Sequence, residues 1–442
     1  MSELKAGAAR ADITPDPAMT NWVDMKPYDG VLDPLAVRAL VLGDDQTEGV
    51  FLCWDLIDAG EEAVAQVRQA IREASGVPER HVLVAASHTH SAPRSPFTEA
   101  SLTPGRGERM RPLLQDPVYR AWAERLPGIC AGVAREARKA ARPVSLAIGR
   151  ADVSEWLFNR RPVDPEGKVV TMFQPKDPYS LPDGLRFGPV DPTLTALTME
   201  DAEGKTVATL FSLPCHSVSI YPTHRGVSSD WPGPACAHVT EALGGETLFL
   251  QGCAGEIVPG RRGEAARDEM ARFFADRALA AVRQRYPLPD AALGITAGTI
   301  ALPLTREARA GAGADTKSVE VQAGHRLRPF RPGHAPRRAP QRAGRGDPVP
   351  LPLPTHARRG LCQRPGDRLR GPGGGEGAGR VRGRGGPGHG GGRAVPDRDG
   401  GEAVAGVTGR PETERGVKGI PSVPDLQERR VRVTHCGTAL EF

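Results

Sequence analysis

At 442 residues the chain has room for two or three average domains, or for one large domain with an appendage. Residues 1–315 carry 34 Lys and Arg against 41 Asp and Glu, a formal charge of −7; residues 316–442 carry 24 against 12, or +12, and the two sum to the +5 of the whole chain. The basic balance therefore belongs to the tail, and the mildly acidic body gives no reason to expect a nucleic-acid or anionic-membrane partner.

Seven cysteines (Cys53, Cys130, Cys215, Cys236, Cys253, Cys362 and Cys436) are scattered with no CxxC pair. That pattern predicts reduced thiols rather than a disulfide framework. The opening MSELKAGAARADITPDP has no apolar leader core, and no apolar run approaches the ~18–20 residues that span a bilayer. The expectation is a cytoplasmic protein without a transmembrane segment.

In chain order, Leu35–Leu42 and Val50–Trp54 are β-branched-rich runs separated by the turn-like Gly43-Asp44-Asp45, which predicts adjacent strands. Asp58–Ala74 places Ala63, Val64, Val67, Ile71 and Ala74 on one helical face, with Gly76 as the C-cap. Val82–Ala86 is again strand-like, so a βαβ unit with a parallel pair is expected. Val118–Ala141 reads as a helix kinked or split at Pro127. Val144–Gly149, Leu194–Met199, Val207–Leu213 and Thr247–Leu250 follow as strands, Ala265–Arg285 as a long helix, and Thr296–Pro303 as the last strand. No internal repeat is evident. The fold class expected is α/β, a mixed and partly parallel sheet core flanked by helices over residues 1–305.

The segment 306–442 is different in kind. Beyond Asp315 only Phe330 and Phe442 are aromatic, and stretches such as GPGGGEGAGRVRGRGGPGHGGGR bury too little apolar area to offset a chain entropy of ~1–2 kcal/mol per residue. Disorder is expected for nearly all of residues 316–442. Ala, Gly, Arg and Pro are encoded by codons beginning with two G or C bases, and Lys all but disappears (Lys317 and Lys418 remain) along with all Asn, Tyr and Met. An out-of-frame reading beginning near Leu304–Arg326 is the first account of this, and a genuine Arg/Gly-rich nucleic-acid-binding tail the second.

The strongest chemical feature is Ser87-His88-Thr89-His90-Ser91, placed directly after the strand Val82–Ala86, because ligands bind at the C-terminal ends of strands in open α/β sheets. Two imidazoles at i and i+2 of an extended backbone point to one side and can share a metal or a substrate. Pro214-Cys215-His216-Ser217 follows another strand and leads to Ser228-Ser229-Asp230-Trp231-Pro232-Gly233, a polar loop ending in a turn. Phe249-Leu250-Gln251-Gly252-Cys253-Ala254-Gly255-Glu256 runs from a strand into a small-residue loop. Each motif alone has a structural reading: strand-capping histidines, a buried His216, Asp230 as turn former, Glu256 as a solvated charge. Three strand-to-loop junctions bearing His, His and Glu together are what a metal site on a sheet edge requires.

These motifs resemble, in order, those of the neutral/alkaline non-lysosomal ceramidases over roughly the first three hundred residues. GAARADITP at Gly7–Pro15 is similar to the family's opening segment, and His88–Ser91 matches its HTHS core, although Ala92-Pro93-Arg94 departs from the Gly-rich continuation. Asn159-Arg160 resembles its Asn-Arg pair, CHSVS…SSDWPG its second histidine segment, and FLQGCAGEIVPG its glycine-rich loop. The resemblance implies a zinc-dependent hydrolase of an N-acyl amide or related ester in a small or lipid-like substrate. It makes His88 and His216 ligands of Zn2+, His90 an acid/base partner at the scissile amide and Arg160 an oxyanion stabiliser. Asn159, Asp230 and Glu256 become substrate-binding candidates.

The chain departs from the family at two points. Val258 occupies the position of a family Ser, and the Glu and Tyr with which the family completes its metal site have no counterpart, since no Tyr follows Tyr286. Another metallohydrolase and a remnant without turnover therefore stay open. The metallo-β-lactamase pattern does not apply, because Ala92 stands where it requires Asp, and Asp55 alone is too few carboxylates for a phosphoesterase.

Overall fold

The computed structural model describes residues 3–102, 107–172, 180–289, 292–303, 316–327, 432–435 and 438–441. In the first half, β1 (Lys5–Asp12), β2 (Ala36–Gly43) and β3 (Glu48–Trp54) lead through α1 (Glu61–Ser75) to β4 (Val82–Ala86); α2 (Arg111–Gln115), α3 (Pro117–Lys139) and β5 (Arg142–Pro143) follow. The sheet order is β4-β3-β2-β1-β5, with β3 and β4 parallel and the other pairs antiparallel. The expected βαβ unit is therefore present, and α1 ends on Gly76 in the left-handed region, φ 77°, with its N–H donating to Arg72 O. Asp116 caps α3 by accepting from Val118 N at 2.8 Å, and Pro117 occupies the first turn. The helix runs on through Pro127 without a split, because Trp122, Leu126, Cys130 and Val133 are held in the core on both sides of it.

The second half repeats this arrangement. β6 (Ser145–Asp152), β7 (Leu157–Asn159), β8 (Thr193–Glu200) and β9 (Thr206–Leu213) lead through α4 (Pro232–Leu243) to β10 (Glu246–Gln251); β11 (Ile257–Pro259), α5 (Glu264–Arg283) and β12 (Tyr286–Pro287) follow. The main sheet has the order β10-β9-β8-β6-β12, again with one parallel pair, β9 and β10, while β7 and β11 pair separately. Arg10-Ala11-Asp12-Ile13-Thr14 is echoed by Arg150-Ala151-Asp152-Val153-Ser154. Asp12 accepts from Thr14 N at 2.6 Å and Asp152 from Ser154 N at 3.0 Å. Ile13 N donates to Leu35 O, and Val153 N to Pro192 O, so each following loop is closed the same way. The following hairpins match as well: Asp44 accepts from Thr47 N and Asp201 from Lys205 N, both at 2.8 Å. The chain thus contains an internal structural repeat, contrary to the sequence expectation. Outside these turns the two halves share burial pattern rather than residue identity, which a residue-by-residue reading does not register.

The two sheets face each other. Leu40, Phe51 and Leu83 from the first pack with Leu197, Leu210 and Leu248 from the second. On the outer faces α1 and α3 cover Val37, Ala39, Val41 and Val84, and α4 and α5 cover Ala196, Phe211 and Phe249. Alternate residues of β2 thus face helix and opposite sheet, the period of two expected of a strand buried on both sides. Gly7 and Gly149 permit the close approach of α3 and α5, since a Cβ at either would strike the backbone at Ala137 or Ala281. Between the sheets Arg38 pairs with Asp55 at 2.9 Å and lies 3.5 Å from Glu246.

Among the elements that lie where the sequence suggested none are α4 and a strand at Thr316–Leu327. Residues following Asp230, read as a turn, form α4, whose Ala235, Cys236 and Val239 are buried. The strand expected at Thr296–Pro303 is the end of β13 (Ala292–Pro303), which pairs antiparallel with β14 (Thr316–Leu327); regular structure thus continues into the stretch expected to be disordered. β15 (Arg432–His435) pairs with β16 (Thr438–Glu441), which runs parallel to β14. The other residues of the tail lie outside the described residues, as do Cys362 and Cys436; among the described residues Cys53, Cys130, Cys215, Cys236 and Cys253 form no disulfide.

Candidate metal centre

The C-terminal ends of the parallel pairs build the site: His88 follows β4 and His216 follows β9. The chain leaves β4 alongside its neighbour, with Ser87 N donating to Trp54 O at 2.9 Å and His88 N to Leu56 O at 3.1 Å. His88 then adopts φ 63°, so the extended backbone expected across the His-x-His motif is broken at its first residue. Such a conformation costs about 1–3 kcal/mol and persists only where its surroundings impose it. The surroundings do so here. Thr89 Oγ1 donates to Ser228 O at 2.8 Å, His90 N to Ser217 O at 3.2 Å, and Ser217 Oγ to Ser87 O at 2.6 Å.

The loops bring three imidazoles together. Ring centroids lie 5.0 Å apart for His88 and His90, 4.9 Å for His88 and His216, and 5.8 Å for His90 and His216. One ring nitrogen from each lies within 4.8 Å of the others, and this is the group of metal-ligating type among the described residues. His88 Nδ1 meets Ile57 O at 2.6 Å, and His216 Nδ1 meets Ala254 O and, at 3.1 Å, Ile257 O. A carbonyl accepts only, so both rings carry their proton on Nδ1 and present a bare Nε2, the tautomer that a metal needs. Both nitrogens of His90 are buried and have no hydrogen-bond partner in the protein.

All three imidazoles are held neutral. Burial is the main cause in each, and it takes His216 from 6.5 down to about 4 and His90 well below its ordinary value. The Arg160 guanidinium lowers all three further. Neutral, oriented and partly unpartnered imidazoles fit a borderline metal ion such as zinc.

No protein-family model matches the chain, and no curated protein matches it. Among solved structures, one described as a ceramidase complexed with C2 is similar over 69% of this chain and 47% of its own length, at 18% identity and a TM-score of 0.52. The fold is ceramidase-like. A neutral ceramidase from Pseudomonas aeruginosa gives 18% identity over 69% of this chain and 48% of that one, with a TM-score of 0.49. The chain spans about half the length of these ceramidases.

Within this ceramidase-like fold the remaining predicted residues divide. Arg160 is half-buried beside the histidines, with Nε and Nη2 donating to Gly255 O at 3.1 and 2.8 Å. Glu256 is half-exposed and lies 3.3 Å from Arg161, while its backbone carbonyl accepts from Arg160 N. Asn159 is buried and spends its amide on Pro189 O and its carbonyl on Arg161 N, at 2.7 and 2.8 Å. Asp230, at φ 54°, is fully buried and accepts from Ser219, Ile220 and Trp231. Asn159 and Asp230 therefore hold loops in place from inside the protein. Val258, on β11, is buried between Phe158 and Val218.

Sequence reasoning missed Gln251 and Trp22. Gln251 Nε2 donates to Cys215 O at 2.9 Å and reaches Ser87 O at 3.4 Å, which ties both histidine loops to the end of β10. Trp22 stands with its ring 5.6 Å from His90 and its Nε1 donating to Ala92 O. Only the position of Gln251 at a strand end could have drawn attention to it. No helix among the described residues is long and apolar enough to cross a membrane.

Proposed function

We propose that the chain is a zinc-dependent hydrolase of an N-acyl amide, or of a closely related ester, in a small or lipid-like substrate. The observation that carries this reading is the three-histidine cluster: Nδ1 of His88 and of His216 is committed to a backbone carbonyl, and His90 is unpartnered. The ceramidase-like fold supports the substrate class by analogy. His88 and His216 would hold the ion through Nε2. Zinc there would supply a Lewis acid and lower the pKa of water toward 7.

The other roles follow from position. His90, neutral and shielded from solvent, exchanges a proton with the leaving nitrogen. Arg160, braced against Gly255, presents positive charge where an oxyanion develops. Asp230 and Asn159 act through the loops they pin, and Glu256 stands at the rim beside Arg161. The buried Val258 favours a mechanism in which water rather than a protein hydroxyl attacks, since Val offers neither nucleophile nor donor.

The test is metal analysis coupled to turnover. Purified protein reconstituted with zinc is expected to retain about one ion per chain and to hydrolyse a chromogenic N-acyl amide. Zinc retention without hydrolysis of amides or esters would favour the non-catalytic reading, and loss of zinc on dialysis would remove the metal assignment.

A further inference from the structure

Asp33 lies between β1 and β2, at a point that the backbone fixes. Leu32 N donates to Val227 O at 2.9 Å and Val227 N to Gly30 O at 2.8 Å, a parallel bridge that seats Asp33 against Ser228 and Ser229. Its two carboxylate oxygens take four donors. Oδ1 accepts from Ser229 N at 2.8 Å and from the Ser229 hydroxyl, and Oδ2 accepts from Ser228 Oγ at 2.6 Å and from Arg267 Nη1 at 2.5 Å. Four donors around two oxygens match the acceptor-only capacity of a carboxylate, whereas an amide would turn its NH2 toward one pair of them.

Ser228 carries this anchor to the histidines. Its N donates to Ser91 O at 2.8 Å, and its O accepts from Thr89 Oγ1 at 2.8 Å. One buried residue thus grips the chain on both sides of His90. The Ser228 hydroxyl also accepts from Asp230 N at 2.9 Å while it donates to Asp33, so its direction is set. Each of the two joined segments contains a non-glycine residue in the left-handed region, His88 at φ 63° and Asp230 at φ 54°. Such backbone persists only where its surroundings impose it.

The far side of Asp33 is braced as well. Arg267, on α5, spends Nη1 on Asp33 and its Nε and Nη2 on Asp268 Oδ1, at 2.9 and 2.6 Å. The Asp33 and Arg267 side chains are 17% and 11% exposed, so this pair is shielded in a way that surface ion pairs are not. The anchor therefore runs from α5 through Asp33 and Ser228 to the turn that follows β4.

We propose that Asp33 is a positioning residue of the three-histidine cluster, acting through Ser228 on the turn that carries His88 and His90. The carboxylate acts at one remove: it directs Ser228, and Ser228 holds Thr89 and Ser91. The proposal rests on the metal reading above only for the first of its two measurements.

The first measurement is the zinc affinity of the full chain, by competition with a chromophoric chelator. Asp33→Ala is expected to bind zinc about 10–100-fold more weakly, the usual effect of losing a residue that orients a ligand. Asp33→Asn, which keeps one acceptor oxygen, should fall between Asp33→Ala and the wild type, and it stands in under the same outcomes if Asp33→Ala does not fold. Asp201→Ala is the control. It removes the acceptor of Lys205 N in the turn between β8 and β9, at the opposite end of β9 from His216, and should leave zinc affinity unchanged. Wild-type affinity in Asp33→Ala, or an equal loss in Asp201→Ala, would make Asp33 a general stabilising contact and overturn the proposal. Thr89→Val tests the route: combined with Asp33→Asn it should bind zinc about as well as Thr89→Val alone, because both break one connection. Losses that simply multiply would mean that Asp33 does not act through this turn. If the wild type binds no zinc, the metal reading fails separately, and the histidine Hε1 resonances of the metal-free chain decide. His88 and His90 signals that move in Asp33→Asn while that of His81, bonded to Glu48 O before β4, stays in place support the proposal; unmoved signals sink it.

Discussion

The Asp230 carboxylate accepts the Ser219 amide hydrogen at 3.1 Å and the Ser219 hydroxyl hydrogen as well, and so fastens the loop that carries His216 to the start of α4. The same oxygen accepts from Trp231 N at 2.8 Å, while Trp231 Nε1 donates to His216 O at 3.1 Å. One fully buried carboxylate thereby fixes the direction in which the His216 imidazole enters the three-histidine cluster.

Asp230→Ala is expected to cost about 2–4 kcal/mol in urea denaturation, because it orphans several buried donors at once. Asp230→Asn, which keeps one acceptor oxygen, should cost less. Both should weaken zinc binding about 10–100-fold, the usual effect of losing a residue that orients a ligand. Equal stability and affinity in wild type and Asp230→Ala would show that the loop does not depend on this carboxylate.

His88→Ala and His216→Ala should each abolish tight zinc binding, read as metal content after gel filtration. His90→Ala separates two arrangements. Retained zinc with lost turnover makes His90 an acid/base group, and lost zinc makes it the third ligand of the cluster.

Acid should destabilise the metal-free protein through these histidines. His216 falls from 6.5 in the unfolded chain to about 4 in the folded one, mainly through burial. A lowered folded-state pKa gives stability that is complete above 6.5 and is lost as pH falls toward 4, because the unfolded chain binds the proton first. The expected loss for His216 is roughly 3 kcal/mol, measured as denaturant midpoints at pH 7, 5.5 and 4. His216→Asn should flatten part of that profile, and an identical profile would contradict the assignment.

Arg160→Ala should reduce kcat on any accepted amide by an amount equivalent to roughly 3–4 kcal/mol, by comparison with removing one oxyanion donor. Zinc content should remain that of the wild type. Because Arg160 also braces the Gly255 loop, Arg160→Lys is the control. It preserves charge but not the fork, and an intermediate kcat separates electrostatics from loop anchoring.

The coding DNA provides a further test. The twelve-residue strand β14 is paired with β13 as far as Leu327, so a frame break is expected toward or after its C-terminal end. An alternative frame there should encode a Gly-Glu loop, a Tyr-bearing strand and helical periodicity. If neither alternative frame does, the Arg/Gly-rich tail is genuine.

The local periodicities were legible in the sequence because they are local. Val82–Ala86 is a strand at the expected residues, and Gly76 ends α1 as its backbone freedom predicts. The order of the motifs around His88, Arg160 and His216 was legible too, since chemistry-bearing residue types at strand ends stand out against apolar runs. Three further features were decided by tertiary structure. The turn-forming composition after Asp230 became helix α4 because Ala235, Cys236 and Val239 found a sheet to cover, and burial outweighs propensity. The repeat of the two halves lies in strand order and in burial on both sheet faces, which unlike apolar residues satisfy equally well. The roles of Asn159 and Asp230 depended on contacts with Pro189 and Ser219, residues that the fold brings beside them. Residue type gave these two their hydrogen-bonding capacity; the partners supplied by the fold directed it inward, to the loops that carry the site.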